Sequence, residues 1–161
     1  MHILSFSKHR LLAGTLLCGL TTPLWAASGT SSLDVSIQVL ATCSISASNM
    51  TFSSITTGTT SNTDATSSLK VNCSNGTPYT IALGNRNNYS GGRRMTNGTT
   101  NINYYLYSDS GRSIQWNTAT TKAATGTGSD QVHTVFGRIP SGQAITNTGI
   151  YGDTVIATVT Y

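Results

Sequence analysis

The chain contains no glutamate and only five acidic residues in 161, and charged residues of all kinds make up 9% of it. The acids Asp34, Asp64, Asp109, Asp130 and Asp153 stand apart from one another, so no acid pair of the kind a glycosidase uses can be singled out. Asp109 and Asp130 read as turn or loop residues. Histidine is nearly as scarce, with only His133 beyond the first nine residues. No Asp or Ser spacing ties His133 into a triad, because serine is too abundant to be informative. Lying beside Val132 in an alternating stretch, His133 is expected to be an exposed strand histidine. Paired Cys and His ligands at zinc spacing are missing too. No catalytic residue, metal or cofactor is therefore expected. Basic residues, such as Arg86, Arg93, Arg94, Arg112 and Arg138, are few and scattered along the chain. The Arg93-Arg94 pair reads as a solvated loop tip, and nucleic acid is not an expected partner.

Long apolar runs are absent apart from one stretch, Leu11 to Leu20. At about ten residues it falls well short of the roughly 20 that span a bilayer as a helix. It follows Lys8 and Arg10 and precedes the small residues Ala26 and Ala27, the arrangement of a secretory leader. Cleavage after Ala26 fits best, because a cut after Ala27 would leave bulky Trp25 three residues before it. Residues 1–26 are therefore expected to be removed, and Cys18 with them. About 135 residues remain, carrying a formal charge of about +2, which is one domain by length. Two cysteines survive, Cys43 and Cys73. An isolated pair in an oxidising compartment is expected to form one disulfide, and closing a loop of about 30 residues should stabilise the fold by roughly 3 to 4 kcal/mol.

What the chain does have is Ser, Thr, Asn and Gly in abundance, interrupted by apolar residues that recur with a period of two. That periodicity is the mark of β-strands rather than of disorder. Leu33 to Leu40 alternates, and Cys43 with Ile45 continues the pattern after a short break. Thr57 to Ser68 reads as a polar loop. Leu69, Val71 and Cys73 resume alternation and end at an Asn75-Gly76 turn, and Tyr79, Ile81 and Leu83 follow. Asn85 to Thr100 reads mostly as loop with a tight turn at Asn97-Gly98, and then come Ile102, Tyr104 and Leu106. The tyrosines Tyr104, Tyr105 and Tyr107 should alternate between core and surface. Asp109 to Gly111 turns the chain, Ile114 to Trp116 forms a short strand, and Thr118 to Asp130 is loop. Val132, Thr134 and Phe136 alternate again, and the final strand, Asp153 to Tyr161, places Val155, Ala157, Val159 and Tyr161 on one face. Short strands separated by turn signals in a domain of this size predict an antiparallel β-sandwich with immunoglobulin-like topology, with a barrel as the structural alternative.

The residues Phe136-Gly137-Arg138-Ile139-Pro140, then Gln143, then Gly149-Ile150-Tyr151-Gly152-Asp153-Thr154-Val155, and last Thr158-Val159-Thr160-Tyr161 resemble the C-terminal signature of spore coat protein U domains. That family includes the pilin subunits of archaic chaperone-usher pili. The likeness extends to Cys43, Cys73, the tyrosine-rich strand around Tyr107 and the N-terminal alternating segment. One departure is Phe52-Ser53, where such domains often carry Phe-Gly. The resemblance implies an all-β fold, an incomplete immunoglobulin-like sandwich completed by a donor strand from a neighbouring subunit. It implies a donor extension at residues 27–41, with Leu33, Val35, Ile37 and Val39 as the inserting side chains, and a domain at 42–161 whose C-terminal strand, with Val155, Ala157, Val159 and Tyr161, borders the acceptor groove. Implied partners are neighbouring pilin subunits, a periplasmic chaperone, an outer-membrane usher and a tip adhesin. The implied product is a cell-surface fibre serving adhesion and biofilm formation. Two other readings stay open: a secreted coat protein that does not polymerise, and a carbohydrate-binding β-sandwich adhesin.

Overall fold

The computed structural model describes residues 25–58, 61–84 and 92–161. The leader expected at residues 1–26 lies almost wholly outside them. The chain divides into two units, Met1–Ile37 and Gln38–Tyr161. In the first, the described residues form no strand, and Leu33, Val35 and Ile37 are 86 to 89% exposed. No helix occurs among the described residues, and so none is long and apolar enough to cross a membrane.

Among its described residues the second unit holds eight strands: β1 (Cys43–Ala47), β2 (Thr63–Cys73), β3 (Pro78–Leu83), β4 (Arg93–Thr96), β5 (Asn101–Tyr107), β6 (Lys122–Thr125), β7 (Gln131–Ile139) and β8 (Ala157–Thr160). They form a five-stranded sheet in the order β1-β2-β7-β5-β4 and a three-stranded sheet in the order β6-β3-β8. Every pairing is antiparallel. The core is supplied by alternate residues of the central strands: Leu69, Val71 and Cys73 from β2, Tyr79, Ile81 and Leu83 from β3, Ile102, Tyr104 and Leu106 from β5, and Val135 and Ile139 from β7. Trp116 is the largest fully buried side chain, and its indole N–H donates to the Ile81 carbonyl at 2.8 Å, which satisfies its one polar atom. Cys43 faces Cys73 in the β1–β2 register, and the two are joined as a disulfide.

Several expectations need correction. Thr63 to Ser68, read as part of a polar loop, is the first half of β2. Its partners, from Ile139 to Thr134, lie on β7 some 70 residues away, and β-branched threonine suits a paired strand. β4 and β6 likewise sit inside segments read as loop. Ile114 to Trp116 forms only an isolated bridge, Tyr107 with Gln115. At the C-terminal end, β8 starts at Ala157 rather than Asp153. At the end of β3 the guanidinium of Arg93 takes the carbonyls of Leu83 at 2.7 Å and Gly84 at 2.8 Å, and the residues that the register would set opposite 153–155 lie outside those described.

Arg93 itself is 7% exposed and belongs to no loop tip. A buried cation needs such acceptors, since its desolvation is otherwise uncompensated. His133 is also buried, at 8%, with Nε2 2.9 Å from the Tyr79 hydroxyl, which lies 3.1 Å from Oε1 of Gln131. Burial, with the nearby Lys122 charge second, holds its imidazole below the ordinary pKa. Val132 takes the solvent side of β7 instead. The tyrosines alternate as expected, with Tyr104 inside and Tyr105 and Tyr107 half-buried on the outer face.

Candidate functional site

The sandwich is closed along its middle and open along one side. On that side a groove of about 490 Å³ has a floor of Leu69, Leu83, Leu106 and Val135 and two rims, residues 47–52 after β1 and residues 151–157 leading into β8. Each rim is built by a local reason. Ser48 N–H bonds to the Ser68 carbonyl, and the Ser67 hydroxyl donates to the Ser48 carbonyl at 2.6 Å; beyond them the chain leaves the sheet. Met50 and Phe52 then lie across β7 at Gly137, where a Cβ would collide with the Met50 Sδ and the Phe52 ring. Glycine inside a strand marks such a close approach.

The opposite rim is tethered at three points. Gly152 exchanges two main-chain hydrogen bonds with Thr96 at 3.0 Å, and Gly84 N–H donates to the Ile156 carbonyl at 2.7 Å. Between them the Tyr104 hydroxyl donates to Asp153 Oδ2 at 2.7 Å. Burial, with the Asp153 carboxylate second, pushes the Tyr104 hydroxyl well above its usual pKa, so it stays a donor. Among the described residues, no main-chain group of Met50 to Phe52 or of Asp153 to Val155 bonds to another main-chain group. Inward side chains along these rims, including Met50, Phe52, Tyr151, Val155 and Ala157, are only partly buried against the core. An apolar floor between two rims is the geometry that accepts an added strand: ladder bonds form at a backbone edge while alternate side chains fill the floor.

The spore coat protein U domain profile matches residues 29–158. The chain belongs to that family. Its fold is similar to a chain in the crystal structure of the CsuC–CsuE chaperone–tip adhesion subunit pre-assembly complex from archaic chaperone-usher Csu pili of Acinetobacter baumannii, with a TM-score of 0.58 and 25% identity over 76% of the present chain. The spore coat protein U chain spans 40% of that solved chain. No curated protein matches it. The family and the fold together make this an all-β, immunoglobulin-like antiparallel sandwich.

Of the residues read from the sequence as groove residues, Val155 and Ala157 line the groove. Val159 is paired with Ile81 inside the β3–β8 ladder, and Tyr161, beyond β8, is 59% exposed beside Pro78 and Thr160. The whole first rim, Ala47 to Phe52, was missed, as were Tyr104 and Asp153. Gly137 in mid-strand was the available signal. Among the described residues no His, Cys and Asp cluster could hold a metal.

Proposed function

We propose that this spore coat protein U domain protein is a structural subunit of a chaperone-usher surface fibre, joined to its neighbours by strand donation. The open groove with its apolar floor between two rims carries this reading. The complementary element is the N-terminal segment, where Leu33, Val35, Ile37 and Val39 are 85 to 89% exposed and separated by Asp34, Ser36 and Gln38. That alternation puts four apolar side chains on one face over about 20 Å of extended chain. Burying all four is worth roughly 6 to 12 kcal/mol before ordering costs, comparable with the stability of a whole domain. A head-to-tail contact that does not close a ring builds a filament. In this reading a periplasmic chaperone occupies the groove before assembly and an outer-membrane usher exchanges it for the next subunit's segment, with export through the periplasm to the surface. His133 is engaged by Tyr79, Asp64 by two arginines, Asp130 by Lys70 and Asp109 by its own turn.

The test is a gel of material sheared from the cell surface, unboiled and boiled, for wild type and Ile37→Asp. A ladder that collapses on boiling and is missing in the variant, while the variant subunit stays folded in the periplasm, is the expected result. Monomer in every lane from folded wild-type protein would overturn the reading.

A further inference from the structure

Beyond the expected leader, the sulfur and indole side chains open to attack by a two-electron oxidant are those of Cys43, Cys73, Met50, Met95 and Trp116. The fold closes three of them: Cys43 and Cys73 are joined as a disulfide, and Trp116 is 1% exposed. The two methionines differ. Both line the groove, and both are only partly buried against the core. Met50 stands on the first rim with its Sδ against Gly137 of β7. Met95 lies on β4 beside Thr96, whose main chain exchanges two hydrogen bonds with Gly152 of the second rim. Every methionine beyond the leader is thus a groove residue, one on the first rim and one on the strand that tethers the second.

We infer that Met50 and Met95 are a paired oxidation site that disables the groove while it stands empty; the inference rests on the strand-donation reading. The reagent class is a hypohalous acid such as hypochlorous acid. At each methionine a lone pair of Sδ forms an S–O bond as the O–Cl bond breaks, so sulfur is oxidised by two electrons and chloride and a proton leave. The product sulfoxide is polar where the thioether was flexible and apolar. Because the Met50 Sδ already rests on Gly137, an added oxygen must project away from β7 or lift the side chain off it. An incoming strand would then bury that oxygen among Leu69, Leu83, Leu106 and Val135 of the floor and its own Leu33, Val35, Ile37 and Val39. Those side chains offer no hydrogen-bond donor, and a polar group buried without one opposes binding. A seated strand or chaperone covers both sulfurs, and the segment 33–39 carries no sulfur of its own. Filled subunits are therefore spared and empty ones are disabled.

The experiment treats the purified protein with hypochlorous acid, with and without a peptide spanning residues 33–39, maps the products by mass spectrometry and then titrates peptide binding. Uncovered protein should gain one oxygen at Met50 and one at Met95, and protein saturated with peptide should gain them much more slowly. The oxidised protein should keep its strand content by circular dichroism yet bind the peptide about tenfold more weakly, the scale of one polar group buried without a partner. Methionine sulfoxide reductases should restore the binding. The double variant Met50→Leu with Met95→Leu, which nearly conserves volume, should bind the peptide equally before and after treatment. Failure of the untreated protein to bind the peptide would overturn strand donation, and this inference with it. Where the untreated protein does bind, three results would overturn the inference alone: unchanged binding after both sulfurs are oxidised, oxidation that spares Met50 and Met95, or an equal loss in the double variant.

Discussion

The central strands and the groove rims carry the same alternating pattern yet reach different ends. Val71 on β2 and Ile81 on β3 are fully buried, whereas Val155 and Ala157 on the rim are only partly covered. Alternation determines which way a side chain points. Burial requires in addition a neighbour on each side of the strand, and β2 and β3 have two neighbours while β1 and β8 have one. An edge with an apolar inner face is ordinarily a liability that proteins cover or charge; here it is left open, and the covering strand is supplied from outside in the function proposed above.

That contrast can be broken most strongly at its closed end. Ile81→Ala should cost about 2 to 5 kcal/mol in urea unfolding, and Val155→Ala less than half as much. Addition of a peptide spanning residues 33–39 should then raise the cost of the Val155 change toward that of the core. Equal costs without peptide would mean the two regions are packed alike. An intermediate effect is expected at the base of the groove. Gly137→Ala pushes Met50 and Phe52 off β7, which should cost about 1 to 3 kcal/mol as overpacking and displace the first rim, read as reduced peptide binding at unchanged strand content. The smallest effect belongs to His133. Its folded-state pKa lies below the ordinary value, so the unfolded chain takes up the proton first as pH falls. Stability is therefore complete above about pH 6.5 and declines below it. His133→Gln should flatten the urea midpoint between about pH 7 and pH 5. Asp64, held low first by the Arg138 hydrogen bond, contributes to pH dependence only further into the acid range.

The closed half was the legible half. Leu69-x-Val71-x-Cys73, Tyr79-x-Ile81-x-Leu83 and Ile102-x-Tyr104-x-Leu106 alternate in a polar background, and each became the buried face of a strand. The start of β2, with β4 and β6, was not legible, because Thr63-Asp64-Ala65-Thr66, Arg93 to Thr96 and Lys122 to Thr125 carry no apolar alternation. Their strand character comes from distant partners, as with Asp64 opposite Arg138. Burial of Arg93 and His133 was hidden for a related reason: carbonyls at the end of β3 and the hydroxyl of Tyr79 make burial tolerable, and such partners appear only when the strands are stacked. The C-terminal rim was partly readable from Val155 and Ala157. The other rim was not, because Met50 and Phe52 gain their place by resting on Gly137 across the sandwich.

The disulfide also bears on how the molecule would carry tension. Cys43 stands four residues beyond Val39 and is bonded to Cys73, the last residue of β2, and β2 runs alongside β7 through nine register positions. A pull on the N-terminal segment meets a covalent link before it can peel β1 from its neighbour. The load passes into the longest strand pair of the fold, where many hydrogen bonds must yield together.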